Sequence, residues 1–198
     1  TAITAKPYKQ MTDGKGNKQD WPKNPSGGYT YKKTTLYECI RQSLNTAAVH
    51  TLSRLGVERS LNFLQQSFDL TLTYEREKTA SAGGEEVIGN VALGSLQSGV
   101  SPVQMAGYYQ IFGNGGVYNE PYSYTKVEMS NGELLLEKGP TAVQVLDEDT
   151  AYIVNRLLQN VVTGDYGATA SSLEKDWKGW EVFAKTGTTQ DNNDVWLA

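Results

Sequence analysis

From Val87 to Asn119 the chain carries no charged side chain. On length alone a run of that kind could be read as a membrane span. Its composition decides the matter. Asn90, Gln97, Pro102, Gln104, Gln110 and Asn114, interspersed with glycines, are too polar for the roughly 20 mainly apolar residues that a bilayer-spanning helix needs. A globular chain with no membrane span is therefore expected. Its 198 residues, 38% hydrophobic and 20% charged, suit a single packed domain. The 18 basic and 22 acidic side chains leave a net charge of −4 with no long block of either sign, so the footprint of a nucleic-acid binder is absent and no nucleic acid is expected as a partner. Residues 1–10 show neither an initiating methionine nor a basic-then-apolar leader, which reads as an internal start or a processed product of a longer chain.

The opening through Tyr31 is rich in Lys, Gly, Asn and Pro and reads as turns and loop, so residues 1–32 are expected as a loop-rich opening segment and 33–198 as the domain. Leu36, Cys39 and Ile40 then recur at helical spacing. After Ser43-Leu44-Asn45, Ala47, Ala48, Thr51, Leu52 and Leu55 do so again before Gly56, which predicts two short helices meeting at a Ser-Leu-Asn corner. A third helix follows from Val57 to about Gln66, and Leu70 to Ala82 is ambiguous between helix and strand. Ser101-Pro102-Val103-Gln104 has the residues of a capping box with proline at the first helical position, opening a helix that runs to about Phe112 and stops at Gly113-Asn114-Gly115-Gly116. Ser130-Asn131-Gly132 joins two strand-like runs as a hairpin, and Asp147 to Val162 is helical. Trp180 to Lys185 alternates like a half-buried strand, Thr186 to Asp194 reads as a turn, and Val195-Trp196-Leu197 begins a second strand.

The single histidine, His50, lies on the second helix among Thr46, Ala47, Arg54 and Leu55, with no serine and acid to complete a Ser-His-Asp arrangement. Cys39 reads as a small buried helix residue, and with no cysteine pairs or histidine cluster neither a metal nor a cofactor is expected. Serine chemistry without histidine needs another proton carrier, and a desolvated lysine can serve. Lys185-Thr186-Gly187-Thr188-Thr189 offers such a cation, hydroxyls for a carboxylate, a glycine where a ligand backbone can lie close, and a backbone N–H for an oxyanion. Ser-x-Asn occurs at Ser43-Leu44-Asn45 and again at Ser60-Leu61-Asn62. The first falls at a break between helices, where its hydroxyl can face a cleft, whereas Ser60 opens a helix and reads as a cap.

S-L-N at 43–45 followed by K-T-G-T-T at 185–189 resembles two of the three signatures of penicillin-binding proteins and class A β-lactamases, S-x-x-K, S-D-N and K-T-G. Gly99 to Ala106, Tyr108-Tyr109, Phe112, Asn114 to Tyr118, Asp149 to Tyr152, Val161 to Gly164 and Ala184 to Trp196 are similar to the transpeptidase domain of bifunctional, class A penicillin-binding proteins. The likeness extends from Tyr31 to Ala198. It implies an α+β fold of the β-lactamase/transpeptidase type, an antiparallel sheet packed against helices with a helical subdomain, incomplete in this chain. It implies a peptidoglycan D,D-transpeptidase acting through a serine acyl-enzyme on stem peptides and inhibited by β-lactam antibiotics. The parent would be a membrane-anchored, extracytoplasmic protein of the bacterial cell envelope.

The same resemblance assigns roles. Ser43 relays a proton to the leaving group, Asn45 holds the substrate amide, and Lys185 supports Ser43. Thr186 and Thr188 bind carboxylate, with Gly187 and Thr189 completing the substrate-binding strand. The nucleophile belongs to an S-x-x-K upstream of Ser43. The strings of that form here, Ser123 to Lys126 and Ser172 to Lys175, both follow Ser43, one in a predicted strand and one in a polar connection. The expectation is therefore a truncated chain whose nucleophile lies elsewhere, inactive alone and able to pair with a complementary fragment of the same protein. A β-lactamase or D,D-carboxypeptidase on the same scaffold, and a non-catalytic extracytoplasmic sensor, are the alternatives.

Overall fold

The computed structural model describes residues 2–164, 167–188 and 195–198. Its chain falls into two compact units, one of residues 1–99 with 155–198 and one of residues 100–154.

The opening segment is not all loop. It holds strands β1 (Ala2–Thr4), β2 (Lys9–Thr12) and β3 (Lys18–Trp21), followed by β4 (Lys33–Thr35). The reading of 1–32 as turns and loop missed these strands for two physical reasons. β2 and β3 are mostly polar, with Met11 and Trp21 their only apolar residues, and show no alternation, and their pairing is set instead by the turn, where the Asp13 carboxylate accepts the N–H groups of Lys15 and Asn17, each at 2.8 Å. β1 finds its antiparallel partner in β4, across the whole hairpin, where no local window could register it.

Helices α1 (Leu36–Arg41), α2 (Asn45–Leu55), α3 (Val57–Phe68), α4 (Thr73–Ala82) and α5 (Ile88–Leu93) come next. The ambiguous stretch thus contains helix from Thr73. Its Glu75 is buried and accepts the Gln97 N–H at 2.8 Å. In the second unit, α6 (Pro102–Gly113) opens with the expected capping box: the Ser101 hydroxyl accepts the Gln104 N–H at 3.2 Å and the Gln104 side chain accepts the Ser101 N–H at 2.8 Å. Strands β5 (Val117–Tyr118), β6 (Lys126–Glu128), β7 (Leu134–Glu137) and β8 (Val143–Gln144) follow, β6 with β7 forming the hairpin around Asn131-Gly132. Helix α7 (Glu148–Thr163) returns the chain to the first unit, which closes with α8 (Leu173–Asp176), β9 (Thr186–Thr188) and β10 (Val195–Leu197). The architecture is α+β, and its strands form two-stranded antiparallel pairs among the described residues rather than one continuous sheet.

Among the described residues, two buried clusters bear on the elements that carry the motifs. Ile3, Ala5, Cys39, Leu44 and Ala47 form one, with Leu36 against it. Val161, Val162, Ala170 and Ala184 form the other, with Ile40, Leu173 and Val182 against it. Cys39 and Ile40 are adjacent on α1 yet belong to different clusters, so this short helix ties β1 and α2 to α7 and to the segment entering β9. Among the described residues no helix is long and apolar enough to cross a membrane.

Candidate active site

The corner that carries Ser43 is a helix ending built with an unusual residue. α1 starts with its own capping box, Thr35 to Glu38, and ends in a Schellman pair: the Leu44 N–H donates to the Cys39 carbonyl at 2.9 Å and the Ser43 N–H to the Ile40 carbonyl at 3.0 Å. Leu44 and Cys39 supply the hydrophobic contact that accompanies this motif, since both lie in the first cluster. The residue after the cap must turn left-handed, and Ser43 does so at φ 52° where glycine is usual. A serine there holds its Cβ and hydroxyl outside both helices.

Lys185 meets that hydroxyl. Its ammonium donates to Ser43 Oγ at 2.7 Å, across a separation of 142 residues, and to the carbonyl of the adjacent Thr186 at 2.7 Å. Packing explains the meeting: Ile40, three residues before Ser43, and Ala184, one before Lys185, sit in the same buried cluster. Burial lowers the Lys185 pKa from its ordinary value by desolvating the ammonium.

Asn45 begins α2, and its side-chain N–H donates to the Lys23 carbonyl at 2.8 Å, which turns the carboxamide so that its oxygen is the end left to accept. The neighbouring Asn24 is buried and caps α2 from outside. Its oxygen accepts both the N–H and the hydroxyl of Thr46 at 3.1 Å, while its own N–H donates to the Gly28 carbonyl at 2.9 Å. Lys23 and Asn24 are site-building residues that the sequence reading left in loop. The Lys-Asn-Pro run was visible, but its target 22 residues away was not.

The strand reading shifts by a few residues. Trp180 to Lys185 was expected as strand and Thr186 to Asp194 as turn, whereas β9 is Thr186–Thr188, antiparallel to β10. Lys185 and Ala198 exchange N–H to carbonyl bonds at 2.8 and 3.1 Å, and no partner strand flanks residues 181–184 among the described residues. In an antiparallel ladder hydrogen-bonded pairs alternate, so Lys185 and Gly187 bond to β10 while the N–H and C=O of Thr186 and Thr188 point to the opposite edge. The Thr186 carbonyl that takes the Lys185 ammonium lies on that edge. A Cβ at Gly187 would touch Trp196 Cβ at 3.6 Å, an ordinary contact, so the chain's own packing does not demand glycine there. Thr186 also donates to the Thr169 hydroxyl at 3.1 Å. Thr189 lies outside the described residues.

The remaining sequence candidates are structural. Ser60 does not cap α3; one turn inside that helix, it donates back to the Gly56 carbonyl at 3.0 Å. His50 lies 3.1 Å from the Lys6 carbonyl and edge-on to Tyr8, docking the β1–β2 connection on α2. The Cys39 thiol is buried, which raises its pKa. Ser123 precedes β6 rather than lying in it, and Lys126 pairs with Glu128. Ser172 stands, without a side-chain capping bond, at the N-cap position of α8, a single helical turn where a connection was expected, and both it and Lys175 are exposed. Among the described residues no cluster of three His, Cys, Asp or Glu is gathered as for a metal.

Similarity to known proteins gives the family. The sequence profile described as "Penicillin binding protein transpeptidase domain" matches residues 1–195. The chain belongs to this transpeptidase family. Penicillin-binding protein 1A of Clostridium botulinum strain Hall is 30% identical over 177 residues, covering 89% of this chain and 20% of that protein. Penicillin-binding protein 1A of Aquifex aeolicus is 31% identical over 195 residues, covering 98% and 23%. The chain thus spans about a fifth of the length of these curated relatives. Among solved structures, penicillin-binding protein 1A from Haemophilus influenzae superposes with a TM-score of 0.74 at 21% identity, over all of this chain and 32% of that one. The D,D-transpeptidase domain of a peptidoglycan glycosyltransferase from Eggerthella lenta gives 0.68 at 20%, over all of this chain and 50% of that one. These superpositions place the fold in the family's α+β class. The profile begins at residue 1, so the family likeness includes the strands that precede Tyr31.

Proposed function

We propose that this chain supplies the Ser-x-Asn and Lys-Thr-Gly walls of a D,D-transpeptidase site that cross-links peptidoglycan stem peptides in a longer, membrane-anchored extracytoplasmic protein. The observation that carries this reading is the 2.7 Å contact between the Lys185 ammonium and Ser43 Oγ, a charge-assisted bond between two motif residues far apart in sequence. The nucleophilic serine comes from an S-x-x-K segment in another part of that protein. Of the two such strings here, Ser123 precedes a strand rather than opening a helix, and Ser172 and Lys175 face solvent.

In the reaction, that serine's oxygen attacks the carbonyl carbon of the penultimate D-alanine and its proton passes to the neighbouring lysine. The C–N bond to the terminal D-alanine breaks as Ser43 hands a proton to the departing amine and takes one from Lys185. An acceptor amine then attacks the ester carbonyl and gives up its proton through Ser43 to Lys185; as the ester C–O bond breaks, the upstream lysine returns its proton to the serine oxygen and the cross-link is formed. The Asn45 oxygen accepts a substrate N–H. The Thr188 N–H, on the strand edge facing away from β10, supplies one oxyanion donor, and the hydroxyls of Thr186 and Thr188 take the terminal carboxylate, Thr189 extending the same strand. β-Lactams acylate the same serine.

Fluorescent penicillin tests this. The full-length protein should be labelled covalently at an upstream serine, and Ser43→Ala or Lys185→Met should slow labelling by about 100-fold or more. The chain of 198 residues alone should not be labelled. Labelling of the isolated chain, or an unaltered rate in both variants, contradicts the assignment.

A further inference from the structure

The Thr186 hydroxyl has a partner that no motif contains. Thr169 lies on the segment joining α7 to α8, and its hydroxyl accepts from Thr186 at 3.1 Å. Core packing sets the contact: Ala170, the next residue, is buried in one cluster with Ala184, two residues before Thr186, and the Ala170 N–H donates to the Val161 carbonyl at 3.1 Å. The segment is held at two further points, by Gly164 closing on the end of α7 and by Gly167 seated against Gln42. Thr169 therefore stands where it does for the same reason that Lys185 reaches Ser43.

We propose that Thr169 is a positioning residue for the anion-binding end of the site, acting through Thr186. The inference rests on the reading above that Thr186 takes the substrate carboxylate. A hydroxyl donates once and accepts as well, whereas a carboxylate only accepts. In the structure Thr186 donates to Thr169. When a carboxylate arrives, the Thr186 proton turns to it and the Thr169 proton turns to Thr186 Oγ1, giving a chain of two hydroxyls that ends on the anion. Accepting a hydrogen bond makes the Thr186 O–H a stronger donor, and the same contact holds its χ1 in one well before the ligand binds.

Acylation of the full-length protein by benzylpenicillin and by its methyl ester tests the proposal, since the ester removes the anion and keeps the reacting ring. Thr169→Val should lower the second-order acylation rate for the acid by about fivefold and leave the ester rate unchanged, and Thr169→Ser should restore the acid rate. Thr186→Val should show the same acid-selective loss, larger in size. If Thr186→Val is acid-selective but Thr169→Val is neutral, or lowers acid and ester alike, the positioning role is overturned while the carboxylate reading of Thr186 stands. If Thr186→Val itself shows no acid-selective loss, the carboxylate reading fails and the role of Thr169 falls with it. Matching melting temperatures for the two Thr169 variants exclude misfolding as the cause of a difference between them.

Discussion

Ser43 occupies a left-handed position that its side chain does not favour, and its hydroxyl is what the proposed chemistry uses. These two properties separate in two variants. Ser43→Ala and Ser43→Gly both delete the hydroxyl and its bond to Lys185, but only alanine keeps a Cβ at φ 52°. Ser43→Gly should therefore be more stable than Ser43→Ala by ~1 kcal/mol, the left-handed penalty less the added freedom of glycine in the unfolded chain. Urea unfolding midpoints of the two variants check this, and equal midpoints contradict it. Lys185 gives a prediction in pH. Its ammonium is the donor to Ser43, so the function is present below its pKa and lost above it. Desolvation moves that pKa down from 10.5, so the alkaline limb of the acylation profile should fall below 10.5. Stability runs the opposite way: between the lowered folded pKa and the ordinary unfolded one the unfolded chain binds more protons, so this group makes the fold more stable as pH rises through that window. A pH–rate profile whose alkaline limb lies at or above the free-lysine value rejects the prediction.

Among the elements, those with local determinants were legible and those with distant partners were not. The α6 capping box, the Asn131-Gly132 hairpin and the Ser-Leu-Asn corner all come from residues within a few positions of each other, and each stands where its pattern puts it. β1 pairs across 30 residues and Asn24 caps α2 across 22, so neither left a periodic trace. Asn24 is the sharper case, because it is buried and uses both ends of its carboxamide. Asn24→Ala should destabilise the chain by about 1–3 kcal/mol by leaving the Thr46 N–H and hydroxyl unsatisfied. It should also slow acylation in the full-length protein, since Lys23, which orients Asn45, is its neighbour. A stable variant with an unchanged rate argues against Lys23 and Asn24 as site supports. Gly164 is the second tight element. A Cβ there would strike the Asn160 carbonyl and come within 2.5 Å of Arg41 Cδ. The arginine can swing aside but the carbonyl cannot, so Gly164→Ala should cost about 1–3 kcal/mol in thermal unfolding and displace the segment that carries Thr169.

At the scale of the whole molecule, the motifs placed the family correctly but not the distribution of stability within the chain. Ser43 and Lys185 are tied to one buried cluster of the first unit, whose Val161 and Val162 are 0% and 1% exposed. The β6–β7 hairpin of the second unit has only two strands, and its Leu134, Leu135 and Leu136 are each about half exposed, at 48%, 51% and 51%. A two-stranded pair with so little apolar burial is marginal in water, whereas opening a buried helix exposes the cluster that holds it. Hydrogen exchange should separate the two. Amides of β6 and β7 should exchange first, with opening free energies near zero to about 2 kcal/mol, and those of α2 and the second half of α7 should exchange last, near the global unfolding value. The amides of Ser43 and Leu44, which close the Schellman pair on the Ile40 and Cys39 carbonyls, should follow the slow class because both carbonyls belong to residues packed in the core. Fast exchange at Ser43 and Leu44, alongside slow exchange in α7, would mean that the corner opens without the core, and that the Ser43 hydroxyl is not held toward Lys185 by packing.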